Sequence, residues 1–228
     1  TLDEMDKVKL MDRTDTKFIL PISMVPSILE QIQPYYKVLF INNKMIGEYT
    51  TRYFDTNDLA LYRNHQNGIC NRVKIRQRDY HNDHISFLEI KNKTNTGRTI
   101  KKRIMIETED ISEQAQREYL FKRTGFDPSS LMLSLTNHFN RITLVHKTLP
   151  ERATIDLNIS FRNNEKTEAP QYLSIIEIKQ SKAQGRSELY KTLFLENRIK
   201  PESISKYCLG VMLLNNEIKK NRFKEKLI

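Results

Sequence analysis

Basic residues recur at every second position along one stretch of the chain, in a pattern that suits phosphate chemistry. Residues 72–78 read Arg-Val-Lys-Ile-Arg-Gln-Arg, and segments 87–93 and 99–104 continue the alternation. Side chains on a β-strand alternate between faces, so each segment predicts a strand with one charged and one apolar face. Like charges on neighbouring strands repel each other. The three segments therefore predict a basic sheet face that binds an anion.

An ordinary sheet with one face in water would give the same alternation in a single strand. Three such segments in succession favour a binding site over that alternative. A further segment, 13–20, alternates in the same way and carries Arg13, Asp15 and Lys17 on one face. Phosphoryl transfer needs positioning and neutralisation of charge, which Arg, Lys and a hard cation supply. The few acids among these residues favour one metal ion at most.

The alternation continues along the chain and predicts eight strands. They cover residues 13–20, 47–54, 71–78, 87–93, 99–104, 138–147, 152–161 and 172–179. Turn residues at 67–68 and 95–97 separate neighbouring strands, and the second turn predicts a hairpin. Short connections of this kind favour mostly antiparallel pairing.

Helical patterns flank the predicted strands. They cover residues 2–11, 24–32, 59–62 after a capping turn at 55–58, 112–124 with a serine cap, 127–135, 187–197 and 202–221. Amphipathic helices need an apolar surface to pack against, so we expect them on the Val, Ile and Leu face of the strands. The charged faces would then line an enclosed, hydrated cavity. The predicted fold is an α+β, eight-stranded, mostly antiparallel closed β-barrel or tunnel with helices packed outside, formed by residues 1–228 as a single domain.

Composition limits the partners and the compartment. The 228 residues carry a net charge of +10, which implies an anionic partner such as phosphate or nucleic acid. Cys70 and Cys208 do not form a CxxC pair, which argues against a zinc ribbon or a disulfide framework and fits a reducing compartment. No apolar run is long enough to cross a membrane. We expect a cytoplasmic location, with membrane association only through a partner or a segment outside this chain, which begins at Thr1.

Seven short motifs occur in an order that resembles a known family. They are Tyr-Phe-Asp-Thr at 53–56, Arg-x-Arg-x-Tyr at 76–80, Leu-Glu-Ile-Lys at 88–91, Lys-x-Arg at 101–103, Arg-x-Thr-Ile-Asp at 152–156, Ile-Glu-Ile-Lys at 176–179 and Ser-Lys-Tyr at 205–207. The ordered set is similar to the VTC (vacuolar transporter chaperone) domain, the polyphosphate polymerase branch of the CYTH-like triphosphate tunnel metalloenzymes. The resemblance covers residues 13 to about 210.

The resemblance implies a tunnel in which the γ-phosphate of ATP is transferred to inorganic polyphosphate with a divalent metal, Mn²⁺ or Mg²⁺. The catalytic residues carried over by motif are Lys17, Arg76, Arg78, Lys91, Arg141 and Arg152. The phosphate-binding residues are Lys74, Lys101, Arg103, Lys179, Ser205 and Lys206, the last two at a tunnel mouth. Glu177 would be the principal metal ligand, and Glu89 and Asp156 would be secondary metal or lysine-orienting groups.

The sequence departs from the superfamily pattern in two places. Hydrolytic members carry Glu-x-Glu-x-Lys on the first strand, whereas residues 13–17 read Arg-Thr-Asp-Thr-Lys, which argues against a triphosphatase or a cyclase. Phe18 and Phe139 stand where the resemblance leads us to expect tyrosines. A missing phenol removes a hydrogen bond to phosphate, so these positions bear on turnover more than on binding.

Two alternatives to the enzyme remain open at the level of sequence. The first is a non-catalytic sensor of polyphosphate or nucleotide built on the same tunnel. The second is a nucleic-acid-binding barrel, which is disfavoured because few aromatic residues alternate with the basic ones as stacking surfaces. The expected partners are ATP and inorganic polyphosphate, with a membrane protein as a further partner and no specific nucleic acid.

Overall fold

The computed structural model describes residues 13–40 and 42–218. The predicted helix at 2–11 and the last residues of the predicted helix at 202–221 lie outside this range. Among the described residues, no helix is both long and apolar enough to cross a bilayer.

Ten strands and five α-helices make up the described fold. The strands are β1 Arg13–Pro21, β2 Tyr36–Val38, β3 Ile46–Thr56, β4 Arg72–Tyr80, β5 Ile85–Lys93, β6 Thr99–Ile106, β7 Leu131–His146, β8 Glu151–Arg162, β9 Thr167–Glu168 and β10 Leu173–Ser181. The helices are α1 Val25–Ile32, α2 Ala60–Gln66, α3 Gln114–Thr124, α4 Glu188–Lys191, which continues as a π-helical turn over Thr192–Glu196, and α5 Lys206–Leu214.

Eight of the strands follow one hydrogen-bonded path in the order β1-β10-β8-β7-β3-β4-β5-β6, while β2 pairs with β7 and β9 with β8. The β1–β10, β10–β8, β3–β4, β4–β5 and β5–β6 pairs are antiparallel. The mostly antiparallel sheet with helices on it is confirmed, and the path contains the predicted number of strands. Its end strands are β1 and β6, so hydrogen bonds among the described residues do not close it into a ring.

The region 127–135 differs from the prediction. Only Pro128–Ser130 forms a helical turn, a 3-10 turn capped by the Asp127 carboxylate, which accepts a hydrogen bond from the Ser129 amide at 2.9 Å. Strand β7 begins directly afterwards. The leucines after the turn favour a helix locally, but pairing within the sheet overrides that preference.

Two helix starts, the length of one helix and two short strands also differ. Glu113, and not Ser112, caps α3 by accepting hydrogen bonds from the amides of Ala115 and Gln116. Helix α5 begins at Lys206, four residues later than predicted, and α4 is shorter than predicted before its π-helical turn. Strands β2 and β9 were not predicted, because three and two residues are too few to show an alternating pattern.

The chain divides into two compact units. The first lies within residues 1–48, 139–159 and 169–203, and the second within 49–138, 160–168 and 204–228. Each unit has its own hydrophobic core, described below for each unit by itself.

In the first unit, α1 and α4 cover one face of the sheet. Phe18 of β1 and Ile176 and Ile178 of β10 pack with Ile28 of α1 and Leu189 of α4 in one buried cluster. Because side chains alternate along a strand, the intervening odd-numbered residues of β1 and β10 point to the opposite face. Those residues include the predicted ligands Lys17, Glu177 and Lys179.

In the second unit, α2 and α3 cover the sheet in the same way. Ile75 of β4 and Leu88 and Ile90 of β5 are buried with Leu61 of α2 and Leu120 of α3. The even-numbered residues of β4 and the odd-numbered residues of β5 therefore point away from this core. In each unit the helices pack on the apolar face, as the sequence predicts.

Candidate phosphate-binding site

One face of the second unit is dominated by basic side chains, and we call it the cationic face. Its members on β4, β5 and β6 are Lys74, Arg76, Arg78, Glu89, Lys91, Lys101 and Arg103. Strand register arranges them in rows across the sheet. Arg76 lies opposite Glu89, which in turn lies opposite Arg103.

A second row consists of lysines alone. Lys74 of β4 lies opposite Lys91 of β5, and Lys91 lies opposite Lys101 of β6. Like charges directly opposite each other on neighbouring strands are destabilising. A polyanion across this row would remove that cost, so the register itself favours anion binding.

Glu89 is the acid at the centre of the cationic face. Its side chain is 0% exposed; Arg76 donates to its Oε2 from Nε at 2.8 Å and from Nη2 at 2.5 Å, and Lys101 pairs with its other oxygen. Burial acts to raise the pKa of Glu89, but the charges of Arg76, Arg78 and Lys101 outweigh it and hold that pKa well below its usual value. Glu89 is therefore ionised and is bound by basic side chains.

Lys101 is held less firmly in its charged form. Burial lowers the pKa of the Lys101 ammonium to about 8; Glu89 opposes the shift, and the like charges of Arg76 and Arg78 add to it. Its side chain is 37% exposed, so this amine can reach a ligand in solvent. Lys101 is thus a basic group whose charge changes within an accessible pH range.

The other two arginines of this face are fixed by their neighbours. Arg78 is almost fully buried, and its Nε donates to the Thr51 hydroxyl at 3.0 Å. The Arg103 guanidinium lies over the Phe87 ring at 4.2 Å from its centroid. Contacts of this kind pre-organise guanidinium groups, whose fork geometry matches phosphate oxygens.

Ser205 and Lys206 stand at the start of α5, in the same unit as the cationic face. The Lys74 ammonium donates to the Ser205 hydroxyl at 3.0 Å. This hydrogen bond brings residues that are 131 positions apart in the chain together at the lysine row. The structure thus places the predicted mouth residue Ser205 beside a predicted phosphate ligand.

The charged face of the first unit, which we call the mixed face, carries more acid. Its members are Lys17, Arg141, Arg152, Asp156, Glu177 and Lys179. Glu177 lies opposite Lys17 in the register, and its two oxygens pair with the ammonium groups of Lys17 at 2.8 Å and Lys179 at 2.5 Å. Burial acts to raise the pKa of Glu177, but Lys179 and Lys17 together lower it well below its usual value.

Asp156 and Arg141 form a two-pronged ion pair on the same face. Arg141 donates from Nε at 2.6 Å and from Nη2 at 2.8 Å to the two oxygens of Asp156. The Arg141 guanidinium also lies 5.1 Å from the centre of the Phe139 ring. Arg152 lies opposite Lys179 in the register, which sets two basic residues side by side.

Three carboxylates on the two faces are the candidate ligands for a divalent metal ion. Within residues 13–40 and 42–218, no cluster of three or more His, Cys, Asp or Glu side chains could hold a metal ion. Glu89 is fully enclosed by basic groups, and Arg141 binds both oxygens of Asp156. Both oxygens of Glu177 also pair with lysines, but its side chain is 17% exposed, so a metal ion could reach it if it shared the carboxylate with Lys17 and Lys179. These donors fit an ion held by one carboxylate together with substrate phosphates, which is a common arrangement for Mg²⁺.

The predicted ligands thus fall into two sets, one on each charged face. The expectation that they line a single enclosed cavity stays a prediction. Sequence reasoning missed the partners that fix them, such as Thr51 for Arg78. These partners lie on neighbouring strands, so no local motif marks them.

The family model of the VTC domain matches residues 12–215. The chain belongs to the VTC domain family. The resemblance seen in the ordered motifs is therefore confirmed, and the match includes every residue of both charged faces. A search of the curated proteins finds no significant match.

Solved structures share the fold of this VTC domain at low sequence identity. A candidate adenylyl cyclase from Hippeastrum, described as having a dominant triphosphatase activity, aligns with a TM-score of 0.54 and 14% identity over 88% of this chain and 95% of its own. A candidate adenylate cyclase from Bacillus halodurans aligns with a TM-score of 0.50 and 13% identity over 94% of this chain and 100% of its own. At this identity the likeness shows a CYTH-like fold.

Proposed function

We propose that this VTC domain is a polyphosphate polymerase that transfers the γ-phosphate of ATP to the end of an inorganic polyphosphate chain. A terminal oxygen of the polyphosphate attacks the γ-phosphorus, and the bond from that phosphorus to the β,γ-bridging oxygen breaks. The products are ADP and a chain longer by one phosphate. The reaction needs no covalent enzyme intermediate, so positioned charges are the main requirement.

The lysine row Lys74, Lys91 and Lys101 is the observation that carries this proposal. Three lysines lie in register on adjacent strands and set positive charges side by side across the sheet. A polyphosphate chain is a linear array of negative charge that could span them. Arg76 and Arg78 lie on the same face and would bind phosphate oxygens two at a time. We assign them, with Lys91, to the transferred phosphate and its neighbours.

The mixed face would serve the charges that develop during transfer. Lys17, Arg141 and Arg152 are the basic groups assigned there, with Lys179 as a further phosphate ligand. Glu177 would hold the divalent metal together with phosphate oxygens, since its carboxylate is ionised and partly exposed. The metal, Mn²⁺ or Mg²⁺, would neutralise charge on the phosphates.

Three features of the setting belong to the same proposal. Residues 1–228 would act as one catalytic domain with both units taking part. The domain would work in the cytoplasm, with ATP and polyphosphate as its small-molecule partners. A membrane protein would be its macromolecular partner.

A non-catalytic sensor is the second candidate, and one observation favours it. Phe139, whose ring lies beside the Arg141 guanidinium, has no phenol to donate to a phosphate on the mixed face. Phe18 packs in the helix-covered core, so a phenol there would not point to that face. A sensor would keep the cationic face and lose turnover.

Synthesis from ATP separates the two candidates. The whole chain is incubated with ATP, Mn²⁺ and a short polyphosphate primer, and the product length is read by gel electrophoresis. We expect longer polyphosphate chains and one ADP for each phosphate added to them. Neither product should form with Arg76→Ala. Polyphosphate binding without chain growth would support the sensor, and release of free phosphate alone would support a triphosphatase.

A further inference from the structure

A buried carboxylate outside the predicted ligand set connects β3 to two helices. The Asp55 side chain is 0% exposed and accepts hydrogen bonds from the amides of Leu61 at 2.8 Å and Tyr62 at 2.9 Å, and from the Tyr207 phenol. The amide contacts make Asp55, near the end of β3, a cap for the first turn of α2, in line with the capping turn predicted at 55–58. The phenol contact joins Asp55 to α5, 152 positions away in the chain.

Tyr207 is the second residue of α5 and directly follows Ser205 and Lys206. Its ring stacks on the Tyr53 ring, with centroids 5.1 Å apart and planes inclined at 27°. Burial, reinforced by the charge of Asp55, raises the pKa of Tyr207 well above its usual value, so the phenol keeps its proton and remains a donor. Tyr53 in turn lies opposite Arg76 of the cationic face in the strand register.

The first turn of α5 has its backbone hydrogen bond from Leu209 to Ser205 but no side-chain cap. Ser205 precedes the helix in an extended conformation, and its side chain makes no capping hydrogen bond. Its hydroxyl instead accepts the hydrogen bond from Lys74. The position of Ser205 and Lys206 therefore depends on the contacts that hold the first turn of α5.

We infer that Asp55 and Tyr207 are positioning residues that hold the first turn of α5, so that Ser205 and Lys206 stand at the lysine row of the cationic face. Neither residue contacts phosphate in this scheme; both act through Ser205 and Lys206. The inference rests on the proposed function, because it takes Ser205 and Lys206 to be phosphate ligands.

A double-mutant cycle tests the inference. Tyr207→Phe removes the hydrogen bond to Asp55 and keeps the ring that stacks on Tyr53. Its effect on the Kd for polyphosphate of defined length, at fixed salt, is measured in the wild-type chain and in the Ser205→Ala/Lys206→Ala chain. We expect affinity to fall about five- to tenfold in the first background and to change little in the second, because the groups it positions are already gone.

Tyr36→Phe is the matched control. Tyr36 is also a buried phenol that donates to a buried carboxylate, Glu151, but in the first unit and on the face packed against helices. It carries the same chemical change, and we expect polyphosphate affinity to be unchanged. Equal weakening by Tyr36→Phe and Tyr207→Phe would trace the effect to lost stability and overturn the inference.

The remaining outcomes distinguish the inference from the proposed function. If Tyr207→Phe weakens binding to the same degree in both backgrounds, the inference is overturned. It is also overturned if Tyr207→Phe leaves binding by the wild-type chain unchanged while the double alanine variant binds poorly. If the double alanine variant binds polyphosphate as tightly as the wild type, Ser205 and Lys206 are not ligands. That result would contradict this part of the proposed function and the inference with it.

Discussion

The two charged faces have the same construction and a different charge balance. In each unit, side chains alternate along the strands, so that one side of the sheet is apolar and covered by helices and the other side is charged. On the cationic face, Glu89 is the single acid among the basic residues of β4, β5 and β6. The mixed face sets Glu177 and Asp156 against its four basic residues, and Asp15 lies opposite one of them, Lys179, in the register. The comparison indicates that the cationic face is suited to holding a long anion.

Burial differs between the faces in a way that fits this division. Glu89 is 0% exposed and Glu177 is 17% exposed. A fully buried acid fixes the basic groups around it, while a partly exposed one can also take a metal ion. We infer that Glu89 organises the cationic face and that Glu177 takes part in the chemistry.

Loss of the central acid should have the largest effect. Glu89→Gln leaves Arg76 beside a neutral amide, and breaking a buried ion pair typically costs about 3–5 kcal/mol. We expect that loss in the free energy of unfolding, measured with urea, and partial recovery when polyphosphate supplies the missing negative charge. Glu177→Gln should cost less, because the Glu177 side chain is 17% exposed whereas that of Glu89 is fully buried. Equal losses for the two variants would contradict the difference in burial as the organising feature.

Removing an arginine should weaken polyphosphate binding more on the cationic face than on the mixed face. Arg78→Ala removes a pre-organised guanidinium, and we expect affinity to fall about 10- to 100-fold, since hydrogen bonds to charged groups contribute about 1.5–3 kcal/mol. Arg152→Ala should weaken binding less than about fivefold and lower turnover instead. Isothermal titration and steady-state rates give the two numbers, with circular dichroism as the check of folding. Similar losses of affinity for both variants would show that the faces share the binding.

Metal dependence should locate to the mixed face. We expect Glu177→Gln to raise the Mn²⁺ concentration for half-maximal activity about tenfold and to leave polyphosphate affinity unchanged. Asp156→Asn serves as the control, because Arg141 already binds both oxygens of Asp156. If Glu177→Gln weakens the response to Mn²⁺ and the affinity for polyphosphate to the same degree, the residue has a structural role.

The smallest expected effect is on the pH dependence of binding. The pKa of Lys101 is about 8, so this ammonium is charged below that pH and loses its proton as the pH rises through it. Bound phosphate raises this pKa, so affinity should be flat below about pH 8 and fall above it by at most about tenfold per pH unit. Lys101→Arg, whose side chain stays charged, should remove the fall. An unchanged pH profile for Lys101→Arg would exclude Lys101 as its source.

The sequence predicted which residues share a face, because the period of two along a strand is a local property. It placed Arg76 and Arg78 together and set them opposite Ile75, as the structure does. It also predicted that helices pack on the apolar side. The family followed from the order of short motifs.

The sequence could not predict the pairing of charges across the sheet. The Arg76–Glu89 pair depends on strand register, and the contact between Asp55 and Tyr207 joins distant parts of the chain. The segment after Ser130 has three leucines, which have a high helix propensity, but they stand at every second position, 131, 133 and 135, as in a strand. Its structure follows that period and the pairing within the sheet.

A crystal structure of the whole chain with a short polyphosphate bound tests the central claim most directly. The account predicts phosphate oxygens within hydrogen-bond distance of Arg76, Arg78 and Lys91 on the cationic face. Phosphates bound by the mixed face alone, or on the side of the second unit packed against α2 and α3, would contradict it.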